Sequence, residues 1–407
     1  MNILYLCDEY PPGQHGGIGT SVQLMARQLV KMGHRVVVAG LYTPGYGGPD
    51  EFEDEGVRVY RYRWGLDGAW FEQRQALPVK IVNRLLKVTG IMERDIKQSL
   101  ARYHKKLVEL IGLYQINLVE MPDYNDYIRH CKTYIPFPRL SVPVVVKMNG
   151  SLSYFAREAG KQVPLHLFKM EQTILNQAAA VISASKYTAQ KSAACFSCTR
   201  PITVLYNGIN TDLPSRNIQR NARQVIFSGT LVQKKGIYQL AQAWNMVHAQ
   251  VPGARLVVLG KGPQQQVMGY LNKDAVKSVL FMGHVAPAEL YDHLSGSAVS
   301  VFPSYAEAFS LAPLEAMVCG AAVINSSRSS GPELINNQVN GLLIDPDDIG
   351  QIASAILYLL HHPEASERLA EQGKQHVKEQ FDIGLIAEQH LQFYQQVLSR
   401  DGEIEVS

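Results

Sequence analysis

The sequence predicts an α/β protein built from two doubly wound lobes, each a parallel sheet covered by helices on both faces. Three observations support this prediction. The chain has 407 residues, two to three times the ~150 residues of a usual domain. Its composition, 46% hydrophobic and 18% charged, suits large buried cores and excludes disorder as the main state. Apolar, strand-length runs alternate with amphipathic helical segments in two separate series, as in parallel sheets.

The first series fills residues 1–205. It opens with a strand, a glycine-bearing loop, a helix and a second strand: NILYLC (2–7), PPGQHGGIGT (11–20), SVQLMARQLVKM (21–32) and HRVVVAG (34–40). Three later strands are expected at INLVEM (116–121), PVVVKMN (143–149) and AAVISAS (179–185). Continuous apolar runs of this kind are typical of strands buried on both faces. We therefore expect one complete lobe before residue 206.

The second series fills residues 223–385, after a polar linker at 206–222. Its expected strands are QVIFSG (224–229), ARLVVLG (254–260), SVLFMG (278–283), AVSVFP (298–303), AAVIN (321–325) and GLLID (341–345). The last helix, 386–407, is expected to pack back on the first lobe. Ligands of open parallel sheets bind outside the carboxyl ends of the strands, so two facing lobes are expected to enclose a cleft.

Charge, cysteine content and hydropathy exclude several classes of function. The net charge of +3 is too small to indicate nucleic-acid binding, although residues 1–200 carry 25 basic against 17 acidic residues. Five cysteines do not make a disulfide framework, which predicts a reducing, cytoplasmic location. No apolar run approaches the ~20 residues that cross a bilayer. The opening MNILYLCDEY lacks the basic region of a signal peptide, so we expect a soluble protein.

A proline marks the start of a helix in the segment AVSVFPSYAEAFSLAPLEAMVCGAAVI (298–324). Pro313 lacks an amide hydrogen and would clash with the carbonyl four residues earlier, so it belongs in a first helical turn. The helix is therefore expected to begin near Ser310. Free amides at Ser310, Leu311 and Ala312 would carry the positive end of the helix dipole, which favours a phosphate group.

Two glutamates flank this expected phosphate site. Glu307 precedes the amides, and Glu315 follows eight residues later, at most ~12 Å away at 1.5 Å per helical residue. Carboxylates on either side of a diphosphate can accept hydrogen bonds from hydroxyl groups, such as those of a sugar and a ribose. The spacing by itself is more typical of solvated charges on a helix face.

The wider context of the two glutamates resembles a known family. The run EAFSLAPLE (307–315) is similar to the Glu-x7-Glu motif of retaining glycosyltransferases of family 4. FPS (302–304) and GAAVI (320–324) also resemble that family's consensus. The family has the GT-B fold, two facing Rossmann-like lobes with a cleft between them, and the resemblance implies this fold here.

The resemblance implies a role for each end of the motif. Glu307 would contact hydroxyls of the donor sugar and act in catalysis, and Glu315 would bind the ribose of the nucleotide. The amides of Phe309, Ser310 and Leu311 would bind the diphosphate. Ser310 stands where the family usually has glycine.

A second stretch, GTLVQKKG (229–236), resembles the family's G-R-L-x-x-x-K-G loop, whose Arg and Lys neutralise the departing diphosphate. Lys235 matches the lysine and is implied to be catalytic and donor-binding. Thr230 replaces the arginine, and Lys234 or another cation would have to substitute for it. Gly229 and Thr230 are implied to line the donor site.

Further implied contacts come from glycines and polar residues after other strands. Gly262 in GKGP (260–263) and Gly283 in FMGH (281–284) lie where the family holds its nucleotide base. In the first lobe, Gly17 is implied to contact the donor and Gly16 the acceptor.

Polar residues of the first lobe complete the candidate site. Asn149 stands where many relatives place a histidine that touches the transferred sugar, and it is a candidate catalytic residue. Asp123 and Tyr154 follow expected strands and are candidate acceptor contacts, although surface roles are at least as plausible for both.

Neither a metal nor another cofactor is implied. Asp345-Pro-Asp347 formally matches the metal-binding D-x-D of another glycosyltransferase fold, but its place late in the second lobe matches an ordinary GT-B loop. The stretch 74–106 is rich in Lys and Arg, and Lys80, Arg84 and Lys87 fall at helical spacing. This pattern fits peripheral contact with the cytoplasmic face of a membrane, or an ordinary amphipathic surface helix.

These observations together predict a metal-independent, retaining, hexosyltransferase-type glycosyltransferase (EC 2.4). It would move a sugar from a nucleotide diphosphate to a hydroxyl of a saccharide or lipid-linked acceptor, in polysaccharide or glycoconjugate synthesis. The alternatives are a sugar-nucleotide epimerase or a phosphorylase of the same fold, or a degenerate donor-binding protein. Base, sugar, acceptor and linkage are left open.

Overall fold

The computed structural model describes residues 1–13, 15–43, 46–64, 82, 89–213 and 218–404, with side chains as far as Arg400. These residues form two compact units, one made of Met1–Gly208 with Ile383–Ser407 and the other of Ile209–Asp382. The basic side chains of Lys80, Arg84 and Lys87, expected on one helix, lie outside the described residues.

The first unit contains an eight-stranded sheet. Its strands are β1 (Asn2–Leu6), β2 (Arg35–Tyr42), β3 (Glu51–Asp54), β4 (Val57–Arg63), β5 (Leu118–Pro122), β6 (Val144–Met148), β7 (Ala180–Ser183) and β8 (Ile202–Val204). Their order is β3-β4-β2-β1-β5-β6-β7-β8, and β3 is the strand that pairs antiparallel. The hairpin β3–β4 was not predicted. Its turn residues Glu55 and Gly56 have φ values of 48° and 86°, as a tight two-residue hairpin turn requires.

The second unit contains a six-stranded parallel sheet with the order β11-β10-β9-β12-β13-β14. Its strands are β9 (Asn221–Ser228), β10 (Arg255–Leu259), β11 (Val279–Gly283), β12 (Ser297–Phe302), β13 (Ala322–Ser326) and β14 (Leu342–Ile344). Strand β9 begins at Asn221, earlier than the expected Gln224. Its first three residues, 221–223, are exposed and do not continue the apolar run. They gain strand structure by pairing Asn221 with Ser297, so the apolar pattern could not reveal them.

Helices cover both sheets. They are α1 (Gly17–Lys31), α2 (Ile91–Tyr114), α3 (Leu152–Glu158), α4 (Leu165–Gln177), α5 (Lys186–Phe196), α6 (Ile237–Gln250), α7 (Gln264–Met268), α8 (Pro287–Ser295), α9 (Ala312–Val318), α10 (Gly331–Leu334), α11 (Ile349–His361), α12 (Pro363–Gln380) and α13 (Ile383–Ile404). Short 3-10 turns lie at 126–130, 233–235 and 275–278. The predicted doubly wound α/β architecture is confirmed in both units. Within the described part of the chain, no helix is long and apolar enough to span a membrane.

The last helix belongs to the first unit. Ile386 and Tyr394 of α13 are fully buried and share one apolar core with Ile3 of β1 and Leu29 of α1. Burial of each such large side chain stabilises the fold by about 2 kcal/mol. This core packs helix α13 against the sheet of the first unit.

A buried polar network also links α13 to the first sheet. Lys147 Nζ on β6 lies 3.1 Å from His390 Nε2, and His390 Nδ1 lies 2.8 Å from a backbone carbonyl one turn earlier. The Tyr394 hydroxyl donates to Glu120 at 2.5 Å and lies 2.9 Å from the Tyr5 hydroxyl. Burial holds the pKa of His390 well below its ordinary value. A neutral ring can accept from the Lys147 ammonium at Nε2 while Nδ1–H donates to the carbonyl.

Each sheet has a point where the chain reverses its direction of winding. In the first sheet this point lies between β1 and β5, and in the second between β9 and β12. Loops that follow two such strands diverge on opposite faces and leave a crevice at the carboxyl edge, where ligands of doubly wound sheets bind. A ligand site in the second unit is therefore expected at this switch point, between the loop after β9 and the loop after β12.

Candidate functional site

The loops after β9 and β12 bring together the two residues that carry the motif prediction. Lys235 Nζ lies 2.5 Å from Glu307 Oε1, and the two side chains are 28% and 17% exposed. Lys235 closes the short 3-10 turn 233–235, and Glu307 lies five residues beyond β12. At the switch point of a parallel sheet, the ammonium group of such a pair can bind an incoming anion, and the carboxylate can accept a hydrogen bond from a hydroxyl group.

A glycine allows the two loops to meet. Gly236 has φ +71°, a left-handed conformation that favours glycine. A Cβ atom at this position would lie 1.9 Å from the carbonyl oxygen of Pro303. The amide of Tyr305 donates to the carbonyl of Lys234 at 2.8 Å. Lys235 is thus flanked by two main-chain contacts to the loop that carries Glu307.

Burial also affects the neighbouring lysine. It lowers the pKa of Lys234 to about 8, with Lys235 adding to this effect and Glu307 opposing it. Thr230, at the position of the missing arginine, is exposed on the same loop. The structure therefore places a second, half-buried cation next to Lys235.

Helix α9 begins two residues later than expected, at Ala312 and not at Ser310. The amide of Glu315 donates to the carbonyl of Leu311 at 2.9 Å, so Leu311 is the residue that caps the helix. The amides of Ser310, Leu311 and Ala312 donate to no group among the described residues. These donors are available to a ligand.

Glu315 lies in the first turn of α9 and is half-buried. Burial raises the pKa of its carboxyl group to about 7. No described side chain or amide forms a hydrogen bond or ion pair with this carboxylate. A half-buried carboxylate without a partner carries a desolvation cost that bound hydroxyl groups can relieve.

The sequence reasoning missed Tyr291 as a neighbour of this carboxylate. Tyr291 lies on α8, which packs against α9. Burial raises the pKa of its phenol far above the ordinary range, and the nearby Glu315 and Cys319 add to this effect. The pattern AELYDHL (288–294) indicated only an amphipathic helix, so no signal in it could have placed Tyr291 beside Glu315.

The predicted glycines lie at one edge of the second sheet. Gly229, Gly260 and Gly283 follow or end three adjacent strands, β9, β10 and β11. The amide of Gly260 donates to the carbonyl of Gly283 at 2.6 Å, and a Cβ on Gly260 would lie 1.9 Å from the carbonyl oxygen of Gly229. A Cβ on Gly262 would lie 2.6 Å from the Cβ of Leu231. Close loop packing therefore explains two of the glycines in this edge.

The structure separates the first-lobe candidates into two groups. Gly16 and Gly17 are exposed at the start of α1. Asp123 is 1% exposed and accepts a hydrogen bond from the amide of half-buried Asn149 at 3.0 Å. Burial raises the pKa of Asp123 to about 7. Tyr154 is 1% exposed, so its ring contributes to the interior and not to the surface.

Two acidic residues directly after β1 were not predicted as site residues. Asp8 accepts hydrogen bonds from the amides of Leu41 and Asp126, at 2.9 and 3.1 Å, and burial raises its pKa to about 7. Glu9 accepts from the amide of Gly19 at 2.8 Å. Charged residues immediately after an apolar strand, as in NILYLCDE, were the available signal.

The Asp345-Pro-Asp347 motif is engaged by a cation of the protein. Arg328 Nη2 lies 2.8 Å from Asp345 and 2.5 Å from Asp347. Among the described residues, no cluster of three or more His, Cys, Asp or Glu side chains has the arrangement of a metal site. The two aspartates join loops of the protein to each other.

Comparison with known proteins identifies the family. The model for glycosyl transferases group 1 matches residues 209–376, and the model for glycosyltransferase family 4 matches residues 15–213. A glycogen synthase of Mycobacterium tuberculosis is 25% identical over 97% of this chain and 94% of its own length.

Solved structures share the fold. A sucrose-phosphate synthase from Thermosynechococcus elongatus matches with a TM-score of 0.75 at 21% identity, covering 98% of this chain and all of that one. The Anabaena protein HepE, solved with UDP-glucose, matches with a TM-score of 0.68 at 18% identity, covering 98% of this chain and all of that one. The motif residues, the two doubly wound units and these matches agree. The chain belongs to glycosyltransferase family 4 and has the GT-B fold.

Proposed function

We propose that this glycosyltransferase is a retaining enzyme that moves a hexose from a nucleotide diphosphate to a hydroxyl group of a saccharide or lipid-linked acceptor. The observation that carries the proposal is the Lys235–Glu307 pair at the switch point of the second sheet. The pair lies on the two loops that diverge there, close to the unpaired amides before α9. A diphosphate suits the cation and the amides, and a sugar hydroxyl suits the carboxylate.

The donor binds along the edge of the second sheet. The diphosphate accepts hydrogen bonds from the amides of Ser310 and Leu311 and an ionic hydrogen bond from Lys235. The ribose hydroxyls donate to Glu315, whose carboxylate has no partner among the described residues. Glu307 accepts from hydroxyls of the sugar. The base lies over the strand-end glycines, in the direction of Gly262 and Gly283.

Transfer proceeds on one face of the sugar. The bond between the anomeric carbon and the diphosphate oxygen breaks, and a bond from the acceptor oxygen to the same carbon forms. The acceptor proton passes to the departing phosphate oxygen, so the products are a nucleoside diphosphate and a glycoside with retained configuration. Lys235 and the amides before α9 stabilise the charge on the leaving group. Preorganised donors of this kind each contribute about 3 kcal/mol.

The proposed reaction uses no metal ion. Arg328 already binds both carboxylates of the Asp345-Pro-Asp347 motif, and Lys235 with Lys234 supplies positive charge to the diphosphate. Activity that survives excess EDTA supports this part of the proposal, whereas activity restored only by a divalent ion would refute it.

The first unit is proposed to bind the acceptor. The candidate acceptor contacts are Asp123 and the exposed Gly16, and Gly17 is proposed to reach the donor. Asn149, whose amide donates to Asp123, is proposed to touch the transferred sugar. Tyr154 is proposed to support this surface from the interior, because its ring is buried.

Peripheral contact with an anionic cytoplasmic membrane face is part of the proposal for a lipid-linked acceptor. Helix α2 exposes basic side chains, including Arg94, Lys97 and Lys105, and it also exposes Val108 and Leu113, which are 49% and 70% exposed. The five cysteines form no disulfide with one another, which suits a reducing compartment. Co-sedimentation with vesicles containing anionic lipid, lost in Lys97→Glu/Lys105→Glu, tests the membrane contact; equal sedimentation of both proteins would refute it.

The experiment that tests the function is a panel of nucleotide sugars, including UDP-glucose, UDP-N-acetylglucosamine and GDP-mannose. A true donor raises the melting temperature, since it binds the folded state, and is slowly hydrolysed without acceptor. Lys235→Ala should lower the hydrolysis rate about 100-fold or more while keeping most of the shift in melting temperature. Conversion of a donor without acceptor into another nucleotide sugar would indicate an epimerase. A shift without hydrolysis or transfer would indicate a donor-binding protein.

A further inference from the structure

A cluster of four side chains ties together the loops that follow β12, β13 and β14. The cluster consists of Tyr305, Arg328, Asp345 and Asp347 and is called the Arg328 clamp below. The Arg328 guanidinium carbon lies 5.4 Å from the centre of the Tyr305 ring. Arg328 Nη2 contacts Asp345 at 2.8 Å and Asp347 at 2.5 Å, and the Tyr305 hydroxyl donates to Asp347 at 2.8 Å. One guanidinium thus joins three separate loops at the carboxyl edge of the sheet.

Tyr305 connects the clamp to both members of the Lys235–Glu307 pair. Its amide donates to the carbonyl of Lys234, the residue before Lys235, at 2.8 Å. It also lies two residues before Glu307 on the same loop. The main chain of Tyr305 is therefore bound to the neighbour of the lysine and continuous with the glutamate. A shift of Tyr305 would change the distance between the two charges.

The loop after β13 adds a second tie. Ser329 Oγ donates to the carbonyl of Tyr305 at 3.3 Å. Ser329 has φ +56°, a left-handed conformation that is uncommon for residues other than glycine. Uncommon conformations of this kind persist where the surrounding contacts determine them, and they are frequent beside functional sites. Arg328 and Ser329 therefore hold the side chain and the carbonyl of Tyr305 from one short segment.

We propose that the Arg328 clamp positions the Lys235–Glu307 pair for sugar transfer, with Arg328, Tyr305 and Asp347 as positioning residues. This inference rests on the proposed function of that pair. The clamp touches neither charge directly and acts through the backbone of Tyr305. Removing it leaves both charges in place but in a looser arrangement. Misplacement of catalytic groups by about 1 Å can cost up to ~100-fold in rate.

The clamp is accessible to mutation without loss of the fold. Arg328, Asp345 and Asp347 are 39%, 51% and 61% exposed, and exposed ion pairs contribute little to global stability. Arg328→Ala removes the clamp, and Tyr305→Phe removes one hydroxyl while keeping the ring. Lys277→Ala is the matched control, because Lys277 forms an exposed pair with Asp274 in the same unit at 2.9 Å, outside the site.

Single-turnover transfer from the donor found for the wild type tests the proposal. Arg328→Ala should lower the transfer rate about tenfold or more with little change in donor affinity, Arg328→Lys should recover part of it, and Lys277→Ala should match the wild type. In a Lys235→Ala background, Arg328→Ala should lower the rate by a smaller factor than in the wild type, because only one of the two residues that the clamp positions, Glu307, is left. An equal loss in both backgrounds, or no loss in the wild type, would overturn the proposal.

Amide hydrogen exchange separates failure of the clamp from failure of the proposed function. In Arg328→Ala, the backbone amides of peptides covering residues 303–311 should exchange at least several-fold faster. The reason is that the hydrogen bond from the Tyr305 amide to the Lys234 carbonyl opens more often. This measurement needs no substrate. If the wild type transfers neither glucose from UDP-glucose nor mannose from GDP-mannose, the exchange measurement still tests whether the clamp holds the loop of Tyr305. Unchanged exchange in Arg328→Ala would show that the four side chains do not hold the loop.

Discussion

The half-buried carboxylate of Glu315 gives a quantitative prediction for stability. Burial raises its pKa from 4.5 to about 7. The folded chain therefore binds this proton more tightly than the unfolded chain, and the ionised form destabilises the fold. The cost is absent below pH 4.5, grows as the pH rises through the interval from 4.5 to 7, and is complete above it. The full cost is about 3 kcal/mol, at about 1.4 kcal/mol for each pH unit.

Glu315→Gln removes the ionisation while keeping the shape of the side chain. The free energy of unfolding of the variant should exceed that of the wild type by about 1 kcal/mol at pH 5 and by about 3 kcal/mol at pH 8. Other buried acids, such as Asp8 and Asp123, change the free energy of unfolding of both proteins equally. The difference in this free energy between the wild type and the variant therefore reports on Glu315 alone. Glu371→Gln on α12 is the control, because Glu371 is exposed.

Urea denaturation followed by the fluorescence of Trp244 is the assay. Trp244 is fully buried in the core of the second unit, and replacing Trp64 and Trp70 by Phe in every protein leaves it as the single reporter. A pH-independent difference between Glu315→Gln and the wild type would refute the reasoning. Destabilisation by Glu315→Gln at pH 8 would do so as well, since it would mean that the carboxylate has a stabilising partner.

Three further predictions follow from other contacts. Lys235→Ala should lower turnover by about 100- to 1,000-fold and donor affinity much less; calorimetry and initial rates that show the reverse would remove Lys235 from leaving-group stabilisation. Gly236→Ala should destabilise the protein by more than about 1 kcal/mol, because its Cβ would meet the Pro303 carbonyl, whereas Gly112→Ala, with open space around it, should not. His390→Gln should make the free energy of unfolding fall less steeply as the pH drops below 6.5. Burial lowers the pKa of His390 in the folded state, so the unfolded wild type binds a proton there that the folded state does not. An unchanged slope of this free energy between pH 5 and 6.5 would contradict the prediction.

Much of the fold was predictable because the strands of both sheets are continuous apolar runs. Val36, Val37 and Val38 in β2, for example, are at most 1% exposed, and such runs leave little choice of structure. The β3–β4 hairpin escaped prediction because EFED and EGVRVY carry charges on their exposed faces. Its local signal was the pair Glu55-Gly56, which forms the turn and belongs to no buried apolar run.

The candidate site also has contacts that the sequence could predict and contacts that it could not. The contact between Lys235 and Glu307 follows from two motifs, each of which lies in the loop after one strand. Because the two strands are neighbours in the sheet, the two loops lie side by side. The Arg328 clamp could not be predicted, because Tyr305, Arg328 and Asp347 come from three loops whose side-chain contacts no local pattern encodes. The position of the D-x-D motif in the chain does not indicate what its carboxylates bind, whereas the structure shows their contacts with Arg328.

The most direct test of the central claim is a crystal structure of the full chain with UDP, or with the nucleotide that the donor panel identifies. We expect phosphate oxygens about 3 Å from the amides of Ser310 or Leu311 and from Lys235 Nζ, with the ribose hydroxyls hydrogen-bonded to Glu315. A nucleotide bound at another edge of the sheet, or phosphates that leave Lys235 paired only with Glu307, would contradict it.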